Sequence, residues 1–287
     1  MQRTVPNIDA VTGLIDDVCQ TVVLPRFSGL SGEEIQSKST SDDTDDIVTV
    51  VDRQVEERLS IGLSELLPSA SIIGEEAAHS RPELLDLLAS DGPLWVIDPI
   101  DGTKNFACGD DGFGVMVAFV MSGHIQAAWI CLPARKQTFV AEAGSGAFLN
   151  GVRIRVPQDA VQAFRGNVLV RYMPDGLRQA VTDGMRGHFQ EVPRAGCAAI
   201  EYTDIVRGES EFVVYYRLLP WDHAAPACIL TEAGGRVAHL DGSAYTVRSK
   251  NQITVVAQDA FVANQVCAWL EPAIKRNLAS WDRKLSE

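Results

Sequence analysis

Two acidic pairs stand where predicted strands stop. Ser71-Ile72-Ile73 reads as a short strand ending at Gly74-Glu75-Glu76, and residues 94–97 read as another ending at Asp98-Pro99-Ile100-Asp101. A further acid, Asp222, opens a predicted helix after Pro220-Trp221. Carboxylates on rigid strand ends can converge on hard cations such as Mg2+, which take oxygen ligands in near-octahedral geometry at ~2.1 Å. Pro99 stiffens the backbone between two of these acids. A D-P-x-D turn lets one carboxylate bridge two ions while the other completes the second site. Gly102 permits close backbone approach, and the N–H groups of residues 102–104 can cradle a phosphate if a helix starts there. Thr103 adds a hydroxyl able to orient a water. Taken alone, Asp-Pro is an ordinary turn. Asp222 alone is a helix cap, with Pro226 in the first turn, where N–H groups have no helical partner. Capping and metal ligation use different oxygens, so both roles fit Asp222 together. Trp95, Trp129 and Trp221 read as packing residues.

The elements that must position these residues follow from periodicity. Residues 8–27 carry apolar side chains at helical spacing, as do residues 47–67 up to Pro68. Between them, residues 37–46 hold no apolar side chain and include Asp42, Asp43, Asp45 and Asp46. That cluster fits either a solvated loop or a metal-gathering one. Strands are predicted at 114–121, 124–131 and 138–143, with Ser122-Gly123 as a two-residue hairpin turn, so pairing in this half is antiparallel. After Asn150-Gly151 strands and helices alternate: strand 167–171, a helix from Gly176, helix 198–207, strand 211–216, helix 222–233 stopped by Gly234-Gly235, strands 236–240 and 254–257, and a last helix from Ala260. The expected organisation is an N-terminal α+β subdomain, 1–150, and a C-terminal α/β subdomain, 151–287, forming one catalytic unit with a cleft between them.

Composition narrows the function. The 287 residues include 25 Lys and Arg against 38 Asp and Glu, a formal charge of −13. Such a chain repels a nucleic-acid backbone, which disfavours nucleic acid as a partner. It does not exclude an anionic substrate, because bound divalent cations invert the local field. No apolar run approaches the ~20 residues that span a bilayer, and the first residues carry no secretory signal pattern. The six cysteines form no C-x-x-C pair and read as reduced residues of a cytoplasmic protein.

The strings also occur in a familiar order. Trp95-Val96-Ile97-Asp98-Pro99-Ile100-Asp101-Gly102-Thr103-Lys104-Asn105-Phe106 resembles the first signature of the inositol monophosphatase family. Gly74-Glu75-Glu76 lies upstream at a suitable distance, and Asp46 through Asp52 resembles the family's D-x-V-T-x-x-D segment. Gly146 through Gly151 matches a family turn. Trp221-Asp222-His223-Ala224-Ala225, running on to Glu232-Ala233-Gly234-Gly235, resembles the second signature. Any one match is weak, but five in order span nearly the whole chain.

The resemblance implies a layered αβαβα sandwich and a Mg2+-dependent, often Li+-sensitive phosphatase. It implies two or three Mg2+ ions, a homodimer, and a small phosphorylated metabolite as substrate. Carried onto this chain, it gives Glu75, Asp98 and the Ile100 carbonyl to the first ion, and Asp98, Asp101 and Asp222 to the second. It makes Glu75 and Thr103 activate the attacking water with support from Asp52, and it has the N–H groups of Gly102 and Thr103 bind phosphate. The implied reaction is hydrolysis of a small phosphomonoester, an inositol-phosphate-like polyol or sugar phosphate.

The departures concern the substrate. The family's Gly-Ser-Ala or Gly-Thr-Ala loop reads Gly196-Cys197-Ala198. Where inositol-phosphate relatives place a glutamate seven residues before the last metal aspartate, this chain has Tyr215, followed by Tyr216 and Arg217. Lys38 resembles the lysine of the metal loop with a longer spacer. Histidinol phosphate, fructose 1,6-bisphosphate and adenosine 3′,5′-bisphosphate are therefore alternatives, with Arg217 pairing a second anion. A non-catalytic member acting through protein or RNA contacts is the remaining one.

Overall fold

The computed structural model describes residues 6–38, 47–157 and 163–284, the side chains beyond residue 275 excepted. In chain order the first half holds α1 (Ile8–Val18), β1 (Ile35–Ser37), β2 (Ile47–Thr49), α2 (Val50–Leu66), β3 (Ser71–Gly74), α3 (Glu75–Ser80), β4 (Pro93–Asp101) and α4 (Thr103–Cys108). A meander follows: β5 (Gly114–Met121), β6 (His124–Leu132), β7 (Gln137–Glu142), β8 (Gly146–Leu149) and β9 (Val152–Ile154). The second half holds β10 (Arg165–Val168), α5 (Asp175–Met185), β11 (Gln190–Glu191), α6 (Ala198–Arg207), β12 (Phe212–Tyr215), α7 (Pro220–Glu232), β13 (Arg236–His239), β14 (Thr254–Ala257) and α8 (Ala260–Lys284).

Strands β3 to β9 form a seven-stranded sheet in sequence order. Only β3 and β4 in it run parallel, because α3 and the 3-10 segment after it carry the chain back between them. The meander turns as its residues require: Ser122 and Gly123 have φ of 51° and 73°, Asn150 and Gly151 49° and 78°. Both positive values in succession match the twist of a two-residue hairpin. The second sheet has the order β11-β10-β12-β14-β13, with β10 parallel to both its neighbours. The chain passes from one sheet to the other between Ile154 and Arg165.

Alternation along the strands sorts side chains into three cores. Trp95 and Ile97 of β4 pack with α1 and α2 on one face of the large sheet; Leu94 and Val96 face α6 and α7 on the other. In the small sheet Val213 and Tyr215 face the same α6–α7 layer, while Phe212 and Val214 face α5 and α8. The layers therefore run αβαβα, as expected, with α6 and α7 sandwiched between two sheets. That position explains why α6 and α7 are buried along almost their whole length.

Three local expectations change. The helix over 8–27 keeps its α form only to Val18, then passes through a wider turn at Cys19–Val23 and a 3-10 turn at Leu24–Arg26, where Pro25 cannot donate. Residues 47–49 form β2 rather than helix, because Thr49 is the cap: its hydroxyl accepts from the N–H of Val51 and its own N–H donates to Asp52. Helix α7 starts at Pro220, not Asp222. Asp222 is therefore inside the first turn rather than the cap, and Pro226 lies in the helix interior.

Candidate active site

The end of β4 carries an irregularity that a regular strand would not allow. Asp98 pairs with Met116 but Asp101 pairs with Gly114, so β4 spends one more residue than β5 over this stretch. In a regular strand residues three apart point to opposite faces. The extra residue of the bulge restores both aspartates to one face. Pro99 tolerates the missing ladder bond, and Ile100 drops into the core on the α1–α2 side. Gly102 then turns with φ of 83°, and a Cβ there would lie 2.8 Å from the Gly112 carbonyl oxygen. Only glycine fits on both counts.

Asp98 is 1% exposed, and its Oδ1 has no hydrogen-bond partner. Burial, then the charges of Glu75, Asp101 and Asp222, push its carboxyl well above the usual range. Asp101 turns toward α6: its Oδ2 accepts from the Ala199 N–H at 2.6 Å and from the Cys197 thiol at 3.2 Å. Burial raises Asp101 to about 6 against those hydrogen bonds, which lower it. Cys197, expected beside the substrate, thus reaches a metal-candidate carboxylate.

Glu75 begins α3 directly after β3. Its position depends on Glu56 of α2, whose carboxylate accepts the N–H groups of Glu76 and Ala77 at 2.8 Å each. Gly74 has no side chain because that carboxylate lies where its Cβ would be, with Glu56 Cδ at 2.2 Å. Lys38 bridges Glu75 and Glu76 at 2.7 and 2.6 Å. Glu75 is raised to about 8, mainly by burial, with Lys38 opposing and Asp222 and Glu76 adding. The acidic run Asp42, Asp43, Asp45 and Asp46 lies outside the described residues.

Asp222 projects from the first turn of α7, with an Arg217 guanidinium nitrogen 3.9 Å from its Oδ2. Pro226, four residues on, cannot donate to the Asp222 carbonyl. The Thr103 hydroxyl is 3.1 Å from Asp52 Oδ1 and 3.0 Å from the Ile100 carbonyl. Asp52 also holds Thr49 through its other oxygen, and burial lifts it to about 6.

One cavity of ≈350 Å³ collects these groups. Glu75, Asp98, Ile100, Asp101, Gly102, Thr103 and Asp222 line one part of it, and Gly196, Cys197, Ala198, Tyr215 and Arg217 another. Asp52 stands behind the wall, touching it through Thr103, and Glu76 and Lys38 lie outside it beside Glu75. Trp95 and Trp129 are core residues, as expected, whereas Trp221 lines the cavity with its Nε1 unpartnered. Arg171, Tyr172, Arg194 and Glu201 also line it and were not read from the sequence. The Arg217 Cζ lies 3.7 Å from the centroid of the Tyr172 ring, a cation–π contact.

Beneath Tyr215 is a chain of buried hydrogen bonds. The Tyr215 hydroxyl donates to Glu201 Oε2 at 2.5 Å, and its ring packs on Tyr202 and His223. His223 Nε2 faces the Arg217 carbonyl at 3.0 Å, an acceptor, so that nitrogen carries the proton. Nδ1 then accepts from the Tyr202 hydroxyl at 2.9 Å. Burial lowers His223 to about 4, so it is neutral at physiological pH.

The chemistry of the donor set fits a hard cation. All the candidate ligands are oxygens, they crowd like charges, and a buried carboxylate oxygen of Asp98 lacks any donor. Among the described residues, no three His, Cys, Asp or Glu side chains are grouped so as to hold an ion as they stand. Lys38 holds Glu75, and Ala199 and Cys197 hold Asp101.

The inositol monophosphatase family model matches residues 8–271. The chain belongs to the inositol monophosphatase family. A Thermotoga maritima protein named fructose-1,6-bisphosphatase/inositol-1-monophosphatase is 33% identical over 208 residues, covering 72% of this chain and 77% of its own length. The Pseudomonas aeruginosa Nus factor SuhB is 32% identical over 246 residues, covering 82% and 88%. A solved IMPase from Thermotoga maritima superimposes with a TM-score of 0.76 at 25% identity, covering 94% of this chain and 98% of that one.

Proposed function

We propose that this phosphoric monoester hydrolase cleaves a small phosphorylated polyol or sugar by a Mg2+-dependent, two-metal route with an activated water. The observation that carries the reading is the bulged end of β4, which turns Asp98 and Asp101 into the same cavity as Glu75 and Asp222. Glu75, Asp98, Asp101, Asp222 and the Ile100 carbonyl would hold two or three Mg2+ ions. When bound, the ions lower the pKa of a water and offset charge on the transferring phosphoryl group.

The remaining chemistry belongs to the chain. The Thr103 hydroxyl donates its hydrogen bond to Asp52 or to the Ile100 carbonyl, which leaves its oxygen lone pairs to accept a hydrogen bond from the attacking water and orient it. Asp52 is fixed by the Thr49 cap, so that acceptor is set before substrate arrives. Glu75 orients the same water, with Lys38 steadying its carboxylate. The N–H groups of Gly102 and Thr103 bind the phosphate. Cys197 and Ala199 anchor Asp101, and Gly196, Cys197 and Ala198 edge the leaving-group pocket, where Tyr215 and Arg217 contact the substrate.

Arg171, Arg194 and Arg217 on the same cavity favour a second reading, a substrate with a second anionic group such as fructose 1,6-bisphosphate. Family resemblance further carries Li+ sensitivity, a homodimer and a cytoplasmic location. No helix among the described residues is long and apolar enough to cross a membrane.

The test is phosphate release from inositol 1-phosphate, histidinol phosphate, fructose 1,6-bisphosphate and adenosine 3′,5′-bisphosphate, with and without Mg2+. Mg2+-dependent release from at least one is expected. No release from any would favour a non-catalytic role.

A further inference from the structure

Glu201 is a buried carboxylate to which the reaction assigns nothing. It is 5% exposed, on a helix packed between two sheets, where a leucine would fit more cheaply. Its Oε2 receives the Tyr215 hydroxyl; no other hydrogen bond reaches its carboxylate among the described residues, and the side chain forms part of the cavity wall. Glu201 lines the same cavity as Asp101, Gly102 and Thr103, the residues proposed to take the ion and the phosphate. A phosphate ester seated there has its leaving group within the same enclosure as Glu201.

The chemistry of that wall is acceptor chemistry. Above pH 7, where Glu201 is ionised, the carboxylate only accepts, and a phenol whose O–H is donated to Glu201 has only lone pairs left to offer. A ligand there must bring donors. Two kinds of donor exist, hydroxyl and ammonium: Lys104, Arg171, Arg194 and Arg217 line the cavity together with Glu75, Asp98, Asp101 and Asp222, and once cations occupy those four acids the remaining charge disfavours a cationic leaving group.

We propose that Glu201, held by Tyr215, is the specificity residue that grips a hydroxyl on the carbon chain beside the phosphate ester. The inference rests on the phosphatase reading above and restricts its substrates to polyhydroxylated esters. The carboxylate absent at position 215 is supplied from α6 instead, so the tyrosine holds the acid in place of being one.

Matched three-carbon esters test this. Wild-type kcat/KM is measured with Mg2+ on glycerol 1-phosphate, propyl phosphate and 3-aminopropyl phosphate, then repeated for Glu201→Gln and Tyr215→Phe, with melting temperatures recorded. The wild-type enzyme is expected to prefer the glycerol ester to the propyl ester by roughly ten-fold or more, the range of one charge-assisted hydrogen bond. Glu201→Gln turns an amide N–H₂ or a weaker acceptor to the ligand and should cut that preference at least ten-fold, mostly through KM; Tyr215→Phe should cut it less. A preference unchanged in Glu201→Gln, or the two esters falling equally, overturns the proposal and leaves the pair structural. So does a wild-type preference below two-fold, which needs no variant to fold, or a preference for the aminopropyl ester. Release of phosphate from none of the three, nor from the metabolite panel above, is a different outcome: the phosphatase reading itself fails, and this one with it.

Discussion

Asp98 gives the sharpest stability prediction. With no cation it is buried against Glu75, Asp101 and Asp222, and its Oδ1 lacks a donor. Asp98→Asn is neutral at every pH, so it removes the cost of keeping this carboxyl protonated, and it supplies an N–H₂ that can donate to a neighbouring carboxylate. The metal-free variant should therefore melt above the metal-free wild type, by ~1–3 kcal/mol if the relieved cost is that of one unsatisfied buried polar group. Mg2+ reverses the order. An ion that binds only the folded chain stabilises it by RT ln(1 + [L]/Kd), about 2.7 kcal/mol at a hundred times Kd. For a chain of this size each kcal/mol shifts Tm by ~2–4 °C, so wild type should gain about 5–10 °C. The Asn variant, lacking one of the proposed ligands, should gain less than half of that. The assay is a melting series in EDTA and in rising Mg2+, with Ca2+ and Na+ as controls for charge screening. A metal-free variant less stable than wild type, or an equal Mg2+ gain in both, would refute the reasoning.

Thr103→Ala removes the hydroxyl proposed to orient the attacking water, and kcat should fall ~10²–10³-fold with KM changed little; a change confined to KM would move Thr103 to substrate binding. Gly74→Ala puts a methyl group where the Glu56 carboxylate lies, 2.2 Å from its Cδ, and should cost about 2 kcal/mol or more in denaturant melts while also lowering activity; a neutral effect would mean Glu56 does not hold α3. Asp52 and Asp101 rise to about 6, Glu201 to about 7 and Glu75 to about 8, all chiefly by burial. Since each folded value exceeds its unfolded one near 4, their stabilising contribution is full below pH ~4 and is lost as pH rises toward 8. The Tm of metal-free protein should fall across that window, and saturating Mg2+ should flatten the part due to Glu75 and Asp101; a metal-free Tm that rises from pH 5 to 8 would contradict these shifts.

Local signals in the chain carried much of this arrangement. Ser122-Gly123 needs two left-handed residues and gets them. Helix α6 runs over the residues its pattern marks, from Ala198 to the left-handed Gly208. What stayed hidden depends on partners remote in sequence. The β4 bulge is a mismatch against β5 and cannot be seen in β4 alone. Glu56 reads as one more charge on an exposed helix until α3 is laid across it. Glu201 had one local clue, its place in the first turn of the helix that follows Cys197. That clue gains meaning only once β12 brings Tyr215 opposite. Pro226 suggested a helix start near Asp222 because proline usually marks the first turn; here the two-sheet burial of α7 outweighs the lost hydrogen bond.

The most direct test of the central claim is turnover against metal. Enzyme stripped with EDTA is assayed for phosphate release from its best ester while Mg2+ is titrated back, with Asp98→Asn in parallel. The account predicts no measurable turnover without Mg2+, full recovery on its return, and a variant at least ~10³-fold slower at saturating Mg2+ despite an intact fold. Turnover that survives EDTA, or an Asp98→Asn enzyme that keeps pace with wild type, would contradict it.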